Sequence, residues 1–507
     1  MATAIFANGP TRRNRQSRAR SVTALTGQIV LALMVSATTF IAPAECASRP
    51  RVLIGLVGRD EAALTALLER QQDPGDADYR RWLSPLEFGQ RFGATAADLR
   101  RASRWLRAEG CRVRRFASRR LLACVGRQRL EVPTPLRHVV TNILAADEPL
   151  ERVIRITPST AQPQAIIDGA RVLQPGEFPR IYGLGTAIGP DVDGRGQTIG
   201  LLGFARVDPQ DIAAFRQAAG FPALEVEQIG AAGDDKPETL LEAALDVEWS
   251  GAIAPGARIV LAVGQTVADS FAALVDRNVD VISSSISLCP GKQSRKFIRE
   301  ALRLMRQASA QGQTVFQASG DEGATFCKKR RVDAMVASPW GTAVGGTDPS
   351  PEQDATGAFV AYGTEVVWAD TTGASGGGRS SLPRPAWQRK GGTRTIPDVA
   401  FPASEIYPVV LDGQLVLVGG TSAAAPTWAG AIAQLNQVLG RRVGFLNREL
   451  YRLGQEQQRG GAAVFHDITQ GSSTFNGVRG FAAGPGYDLV TGWGSMNGPE
   501  FFAAFAR

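Results

Sequence analysis

The sequence predicts an α/β fold: a mostly parallel sheet with helices on both faces, preceded by a small α+β unit. Two observations predict it. From about residue 180 onward, short apolar runs at 198–204, 258–263, 279–284 and 314–318 alternate with helical stretches such as 209–219 and 295–311. Runs that are apolar throughout suit strands buried on both faces, and helices must then cover a parallel sheet from both sides. Residues 51–157 differ: a strand-like run at 51–57 and three helical stretches (61–71, 85–92, 96–109) precede arginine-rich β-like runs around Cys111 and Cys124. At 507 residues, 44% hydrophobic and 21% charged, the chain exceeds one ordinary domain and can bury a large core.

Taken in order, residues 1–47 read as a signal peptide. A basic stretch (Arg12, Arg13, Arg15, Arg18, Arg20) precedes an apolar run at 29–41, and small residues at 42–47 suit cleavage. Ser36, Thr38 and Thr39 interrupt that run, which is short for a bilayer span, so no stable membrane anchor is expected. The mature protein is expected to be secreted, extracellular or periplasmic. The net charge of +8 is carried by arginines clustered in the first 150 residues, among them Arg112, Arg114, Arg115, Arg119 and Arg120. Without interleaved aromatics or a helix-turn-helix pattern, they suit a solvated face or a surface docking on an acidic partner, and no nucleic acid is expected. Cys46 lies at the signal boundary, leaving Cys111, Cys124, Cys289 and Cys327, which allow three pairings. Cys111 with Cys124 across a hairpin and Cys289 with Cys327 is one of them, and no spacing resembles a zinc site. The expected division is a signal peptide at 1–47, an α+β unit at 48–157, a linker or processing region at 158–180 and an α/β domain at 181–507.

The α/β domain is organised around Gly419-Gly420-Thr421-Ser422-Ala423-Ala424-Ala425-Pro426, between a strand-like run at 415–418 and a helix of small and apolar residues. A serine there sits at a helix N-terminus, where unpaired N–H groups favour a developing negative charge. Pro426 is expected in the first helical turn, where a missing donor does no harm. As a nucleophile Ser422 needs a base, and the chain has only two histidines, His138 in the small unit and His466 in a late loop. The base is therefore expected to be a carboxylate. Glu242 and Asp246, four apart on a predicted helix, share a face whose neighbours are Leu241, Ala243, Ala244, Leu245 and Val247. Two like charges on a half-buried face raise at least one pKa, which suits a base working in acid. Alone, such a pair is more commonly an exposed acidic helix face. Asp321, in Ser319-Gly320-Asp321-Glu322-Gly323 after the run at 314–318, occupies the carboxyl end of a strand, where functional loops gather.

Together these motifs resemble the sedolisins, serine-carboxyl peptidases with a subtilisin-like fold. The resemblance rests on the Ser422 motif, on Glu242-x-x-x-Asp246 followed by Ala254-Pro255-Gly256-Ala257, and on Ser319-Gly320-Asp321-x-Gly323. Ser375-Gly376-Gly377-Gly378, Pro385-Ala386-Trp387-Gln388 and Pro397-Asp398-Val399-Ala400 also match, so that it runs from about 180 to 500. It implies Ser422 as nucleophile, Glu242 as its base, Asp246 holding Glu242, and a protonated Asp321 as oxyanion donor. It further implies one structural Ca2+ held by Asp467 and Asp488 through side chains, and by Ile468, Gly484 and Gly486 through carbonyls. Carboxylates and carbonyls in glycine-rich loops suit such a hard cation. The N-terminal unit resembles the family's activation propeptide at Tyr79-x-x-Trp82-Leu83-Ser84-Pro85-x-Glu87-Phe88, Phe92-Gly93 and Trp105-Leu106. The implied protein is a secreted, acid-active serine-type endopeptidase, made as a zymogen whose propeptide inhibits it, monomeric, and acting on proteins or peptides. One segment departs from the family. Ser285-Ile286-Ser287-Leu288-Cys289-Pro290 stands where relatives have Ser-x-Ser-Trp-Gly, leaving a catalytically silent peptide-binding protein as an alternative beside a tripeptidyl exopeptidase.

Overall fold

The computed structural model describes residues 51–145, 152–153, 159–160, 166–167, 170–230, 233, 236–289, 294–388 and 392–506. The signal peptide expected at 1–47, the boundary expected at 157 and part of the 158–180 linker lie outside them. The small unit opens with β1 (Arg51–Leu56), α1 (Glu61–Arg70), α2 (Pro85–Phe92) and α3 (Ala96–Ala108). It closes with β2 (Arg112–Arg115), β3 (Leu121–Val125) and β4 (Val140–Ala145). The four strands form an antiparallel sheet in the order β2-β3-β1-β4. Each helix begins on a side-chain cap: Asp60 on α1, Ser84 with Glu87 in a capping box on α2, and Thr95 on α3. Cys111 and Cys124 are bridged.

Alternation along β1 and β3 gives this sheet two buried faces. Val52, Ile54, Leu122 and Cys124 point into the unit's own core with Leu106. Leu53, Leu121 and Ala123 point the other way, onto helices of the large domain. The arginines divide accordingly: Arg112, Arg114 and Arg115 are exposed, whereas Arg120 is buried over the Phe88 ring and pairs with Glu61.

The large domain runs β5 (Thr198–Gly203), α4 (Pro209–Ala218), β6 (Val226–Gly230), α5 (Pro237–Ile253), β7 (Arg258–Val263), α6 (Val267–Arg277), β8 (Val281–Ser284) and β9 (Ser287–Leu288). It continues through α7 (Ser294–Ala310), β10 (Thr314–Ala318), β11 (Thr342–Gln353), β12 (Phe359–Val367), β13 (Val399–Pro402), β14 (Gln414–Val418) and α8 (Thr421–Leu439). The main sheet has the order β6-β7-β5-β8-β10-β11-β12, with β13 also pairing β11. Every pairing in it is parallel except β11 with β12. The mixed α/β fold expected from the sequence is thus present.

The small unit sits on α6 and α7. Around the apolar centre of that seam, Arg51 pairs with Asp269 and Arg306 with Glu61, at 2.9 and 2.6 Å. Asn142 donates to the buried Glu300 at 3.0 Å, and the Ala117 N–H to Asp276 at 2.6 Å. Past the seam, residues 152–153 pair antiparallel with β9, and residues 159–160 with β14. A second disulfide joins Cys289, next to β9, to Cys327, six residues beyond Asp321. Closing 38 residues, it stabilises by about 4 kcal/mol in a chain-entropy treatment.

Candidate active site

α8 lies against β8, β10 and β11 and against α5. Its first sixteen residues are all buried, and small side chains let it come close. A Cβ at Gly430 would sit 2.6 Å from the Cβ of Ile253 on α5, so α8 and α5 approach at near-backbone range. This close packing brings the serine of one helix to the carboxylates of the other. Gly420, at φ +114°, makes the turn from β14 into α8 that an L side chain would resist. Ser422 is the second residue of the helix and only 4% exposed.

Glu242 and Asp246 lie in the stretch of α5 from Leu241 to Ile253, which is buried throughout, so the exposed acidic face allowed by the sequence does not occur. Asp246 is 1% exposed and accepts from the Ser285 hydroxyl at 2.7 Å. Among the described residues, neither Glu242 oxygen completes a hydrogen bond, and Asp246 Oδ2 is also unpartnered. Burial first, then the neighbouring Asp246 and Asp321, push the Glu242 carboxyl well above the usual range, while the Ser422 and Ser285 hydroxyls pull it partly back. Burial raises Asp246 too, against the Ser285 hydrogen bond. Two desolvated carboxyls one helical turn apart resist a second ionisation, so the pair retains a proton where exposed carboxyls have none.

Asp321 follows β10 and is tied to α8 through Thr421. Its Oδ1 accepts from the Thr421 N–H at 2.9 Å and the Thr421 hydroxyl at 2.7 Å. The same hydroxyl accepts from the Gly320 N–H at 3.0 Å. An oxygen already accepting twice is a poor place for a proton, so a protonated Asp321 carries it on Oδ2. The Ser375 segment braces this turn: Ala374 N–H donates to Asp321 O at 3.1 Å and Gly376 N–H to Gly320 O at 2.7 Å. The structure therefore brings Ser422, Glu242, Asp246 and Asp321 together from three separate segments: α8, α5 and the turn after β10. Neither histidine joins them. His138 is exposed beside Arg101, and the ring of His466 stacks on Tyr362 at 3.5 Å.

Two residues of this centre carried no chemical assignment from the sequence. Thr421 was legible only as part of the Ser422 motif, and Ser285 only as part of the segment that departs from the family pattern. Nothing local signals either contact, because both bonds cross between strands and helices that are distant in the chain. One expectation needs correction. Pro426 is the sixth residue of α8, in its second turn, so its missing N–H leaves a helical carbonyl without its usual donor.

The five residues proposed for a cation lie in two adjoining loops. Asp467 Oδ2 accepts from Gly486 N–H at 2.7 Å, and Asp488 Oδ2 from Gly484 N–H at 3.1 Å. Burial pushes Asp488 up to about 6, and neither carboxylate has a Lys or Arg partner among the described residues. A largely desolvated Asp488 and the more exposed Asp467, both lacking a cationic partner, beside loop carbonyls and a buried Ile468, are a donor set that fits a hard cation. The described residues hold no cluster of three acidic, His or Cys side chains that could bind a metal, so carbonyls would have to complete the shell. These loops reach the catalytic turn through Asp488, which accepts from Val490 N–H at 2.9 Å, and Val490 O, which accepts from Ser375 at 2.6 Å.

Residues 36–127 match the family described as Pro-kumamolisin, activation domain, and residues 231–451 match the Subtilase family. The chain is 33% identical to kumamolisin of Bacillus sp. (strain MN-32) over 351 residues, 62% of this chain and 60% of that relative, under two thirds of its length. It is 26% identical to sedolisin of Pseudomonas sp. (strain 101) over 518 residues, covering 88% of this chain and 85% of that one. Tripeptidyl-peptidase 1 of Bos taurus is 34% identical over 240 residues, 41% of this chain and 39% of that one. Among solved structures, Pseudomonas sedolisin complexed with two molecules of pseudo-iodotyrostatin matches with a TM-score of 0.58 and 29% identity. It covers 66% of this chain and 98% of that one.

Proposed function

We propose that this chain, which is similar to kumamolisin and sedolisin and carries an activation domain of its own, is an acid-active serine-carboxyl endopeptidase made as a self-processing zymogen. The observation that carries this reading is the set of carboxyl groups that replaces an imidazole around Ser422. Ser422 Oγ attacks the peptide carbonyl as its proton passes to Glu242, which Asp246 holds in place. The oxyanion then receives hydrogen bonds from the Ser422 N–H and from a protonated Asp321. Glu242 returns its proton to the leaving amine, and water repeats the sequence on the acyl-enzyme. A carboxyl group donates only when protonated, so the arrangement suits acid.

Endo-cleavage is favoured by the backbone pairings of the protein's own linker. Residues 152–153 lie along β9, two residues past Ser285, and residues 159–160 lie along β14, which leads into Ser422. A cleft that takes chain on both of these strands suits an internal bond. Similarity to tripeptidyl-peptidase 1 favours the exo-acting alternative, in which only substrates with a free N-terminus would be cut. We further propose secretion. No helix among the described residues is long and apolar enough to cross a membrane, and both disulfides suit an oxidising compartment.

The test is an acid shift of the 48–507 protein beside Glu242→Gln, followed by gel, N-terminal sequencing and hydrolysis of casein and of an N-terminally blocked peptide. The expected result is release of the small unit, with a new N-terminus between the two linker pairings and cleavage of both substrates, in the parent only. Equal processing in Glu242→Gln would remove Glu242 as base. Cleavage confined to unblocked peptides would favour the exopeptidase.

For Ca2+ we propose Asp467 and Asp488 through side chains and Ile468, Gly484 and Gly486 through carbonyls. The ion would supply charge neutralisation to the loop that supports Ser375 and, through it, the Asp321 turn. Chelation by EGTA is expected to lower the melting midpoint by several degrees, reversibly on adding Ca2+ but not Mg2+. A midpoint indifferent to chelator, with no Ca2+ in the purified protein, would argue against the site.

A further inference from the structure

In an α-helix the N–H of residue 426 would bond to the carbonyl of Ser422, but Pro426 has no N–H. That carbonyl instead faces the hydroxyl of Ser285, at 3.3 Å. The same hydroxyl donates to Asp246 Oδ1 at 2.7 Å, and Ser285 is 4% exposed. One buried hydroxyl with a single proton therefore lies between two acceptors, one on the acid pair and one on the nucleophile's own main chain.

We propose that Ser285 is a positioning residue that keeps Asp246 hydrogen-bonded in both of its protonation states, and that Pro426 makes the second state possible. With Oδ1 ionised or unprotonated, Ser285 donates to it. With a proton on Oδ1, that carboxyl donates to Ser285, whose own proton turns to the Ser422 carbonyl. In either state Asp246 keeps its place beside Glu242 while the proton count of the pair changes. An ordinary helix would have consumed the Ser422 carbonyl and left the hydroxyl only one acceptor. Among the described residues, the ionisable group acting on the Glu242–Asp246 pair from outside it is Asp321, also acidic, so a neutral hydroxyl that can donate or accept is the suitable partner. The inference rests on the catalytic roles proposed above for Ser422, Glu242 and Asp246.

The test is the pH profile of kcat/KM for Ser285→Ala, Ser285→Thr and Pro426→Ala in the full chain after acid processing. Ser285→Ala is expected to lose roughly 10- to 100-fold, the cost of a loosened catalytic group. Its acid limb should move to higher pH, because ionised Asp246 has lost a donor. Ser285→Thr should restore the limb and most of the rate. Pro426→Ala leaves the acid pair untouched but supplies an N–H to the Ser422 carbonyl, which disfavours only the protonated state of Asp246, and should move the limb the opposite way, to lower pH. A Ser285→Ala profile that keeps its limb, or Pro426→Ala indistinguishable from the parent, would overturn the inference. If Ser285→Ala fails to fold, Ser285→Thr and Pro426→Ala still decide it. A parent inactive in acid, or as active as its Ser422→Ala variant, would instead sink the catalytic roles themselves.

Discussion

Ser422→Ala is expected to abolish both acid processing and peptide hydrolysis while leaving the protein folded. Losing the nucleophile of a constellation acting as a unit costs on the order of 10^4-fold or more in kcat. The structural cost should be small. The side chain is short, alanine is favourable in a helix, and its neighbours in α8 are already Ala423, Ala424 and Ala425. The variant should therefore run as the unprocessed chain after the acid shift and melt within a few degrees of the parent. Casein cleavage at the parent rate by a melt-verified variant would mean that another residue attacks the carbonyl.

Asp398→Ala should produce the largest loss of stability from one substitution. Asp398 and Arg394 are both fully buried, joined by two hydrogen bonds of 2.7 and 2.5 Å. Asp398 also accepts from Ala343 N–H and from the Tyr451 hydroxyl, both at 2.9 Å, while Arg394 lies over the Trp387 ring. Removing the carboxylate leaves a fully buried guanidinium with no counter-charge, at a cost of about 3–5 kcal/mol. For a chain of this size the midpoint should fall by roughly 5 °C. The double substitution Arg394→Met with Asp398→Leu removes both charges and should recover much of that loss. A double variant no more stable than Asp398→Ala would place the cost in the lost Ala343 and Tyr451 hydrogen bonds rather than in the stranded charge.

Legibility from sequence followed the range of the interactions. The strands at 258–263 and 314–318 are continuous apolar runs with helices between them, and they occur where the pattern put them. The serine, the acid pair and Asp321 were each visible because their local setting was unusual: a glycine-flanked junction, two acids among apolar neighbours, a carboxylate closing a strand. β6 was not visible, since Glu227 and Gln228 break its apolar character at the sheet edge. Nor was the whole of β11, whose outer half carries Pro349 and Pro351 and pairs with β12 through register shifts. The Ser285 and Thr421 bonds were hidden for another reason. Both depend on how closely α8 approaches α5 and the strand ends, which tertiary packing sets and no local pattern records.

The buried acids have a consequence for the whole molecule's proton inventory. Burial raises the folded-state pKa of Glu248 and Glu365 as well as of Glu242 and Asp246, and pushes Asp333 up to about 6. In the unfolded chain such groups titrate near ~4. Folding therefore takes up protons at any pH between those values. The stabilisation is fully present below the unfolded pKa and is lost as pH climbs through the folded one, so for Asp333 between about 4 and about 6. The groups raised further extend the decline beyond that range. Melts of the parent at a series of pH values should give a midpoint that falls from acid toward neutrality, and a midpoint that rises instead would contradict it. The acidic medium proposed for catalysis is thus also the one in which these acids leave the fold most secure, and exposure to a neutral or alkaline medium would act on both at once.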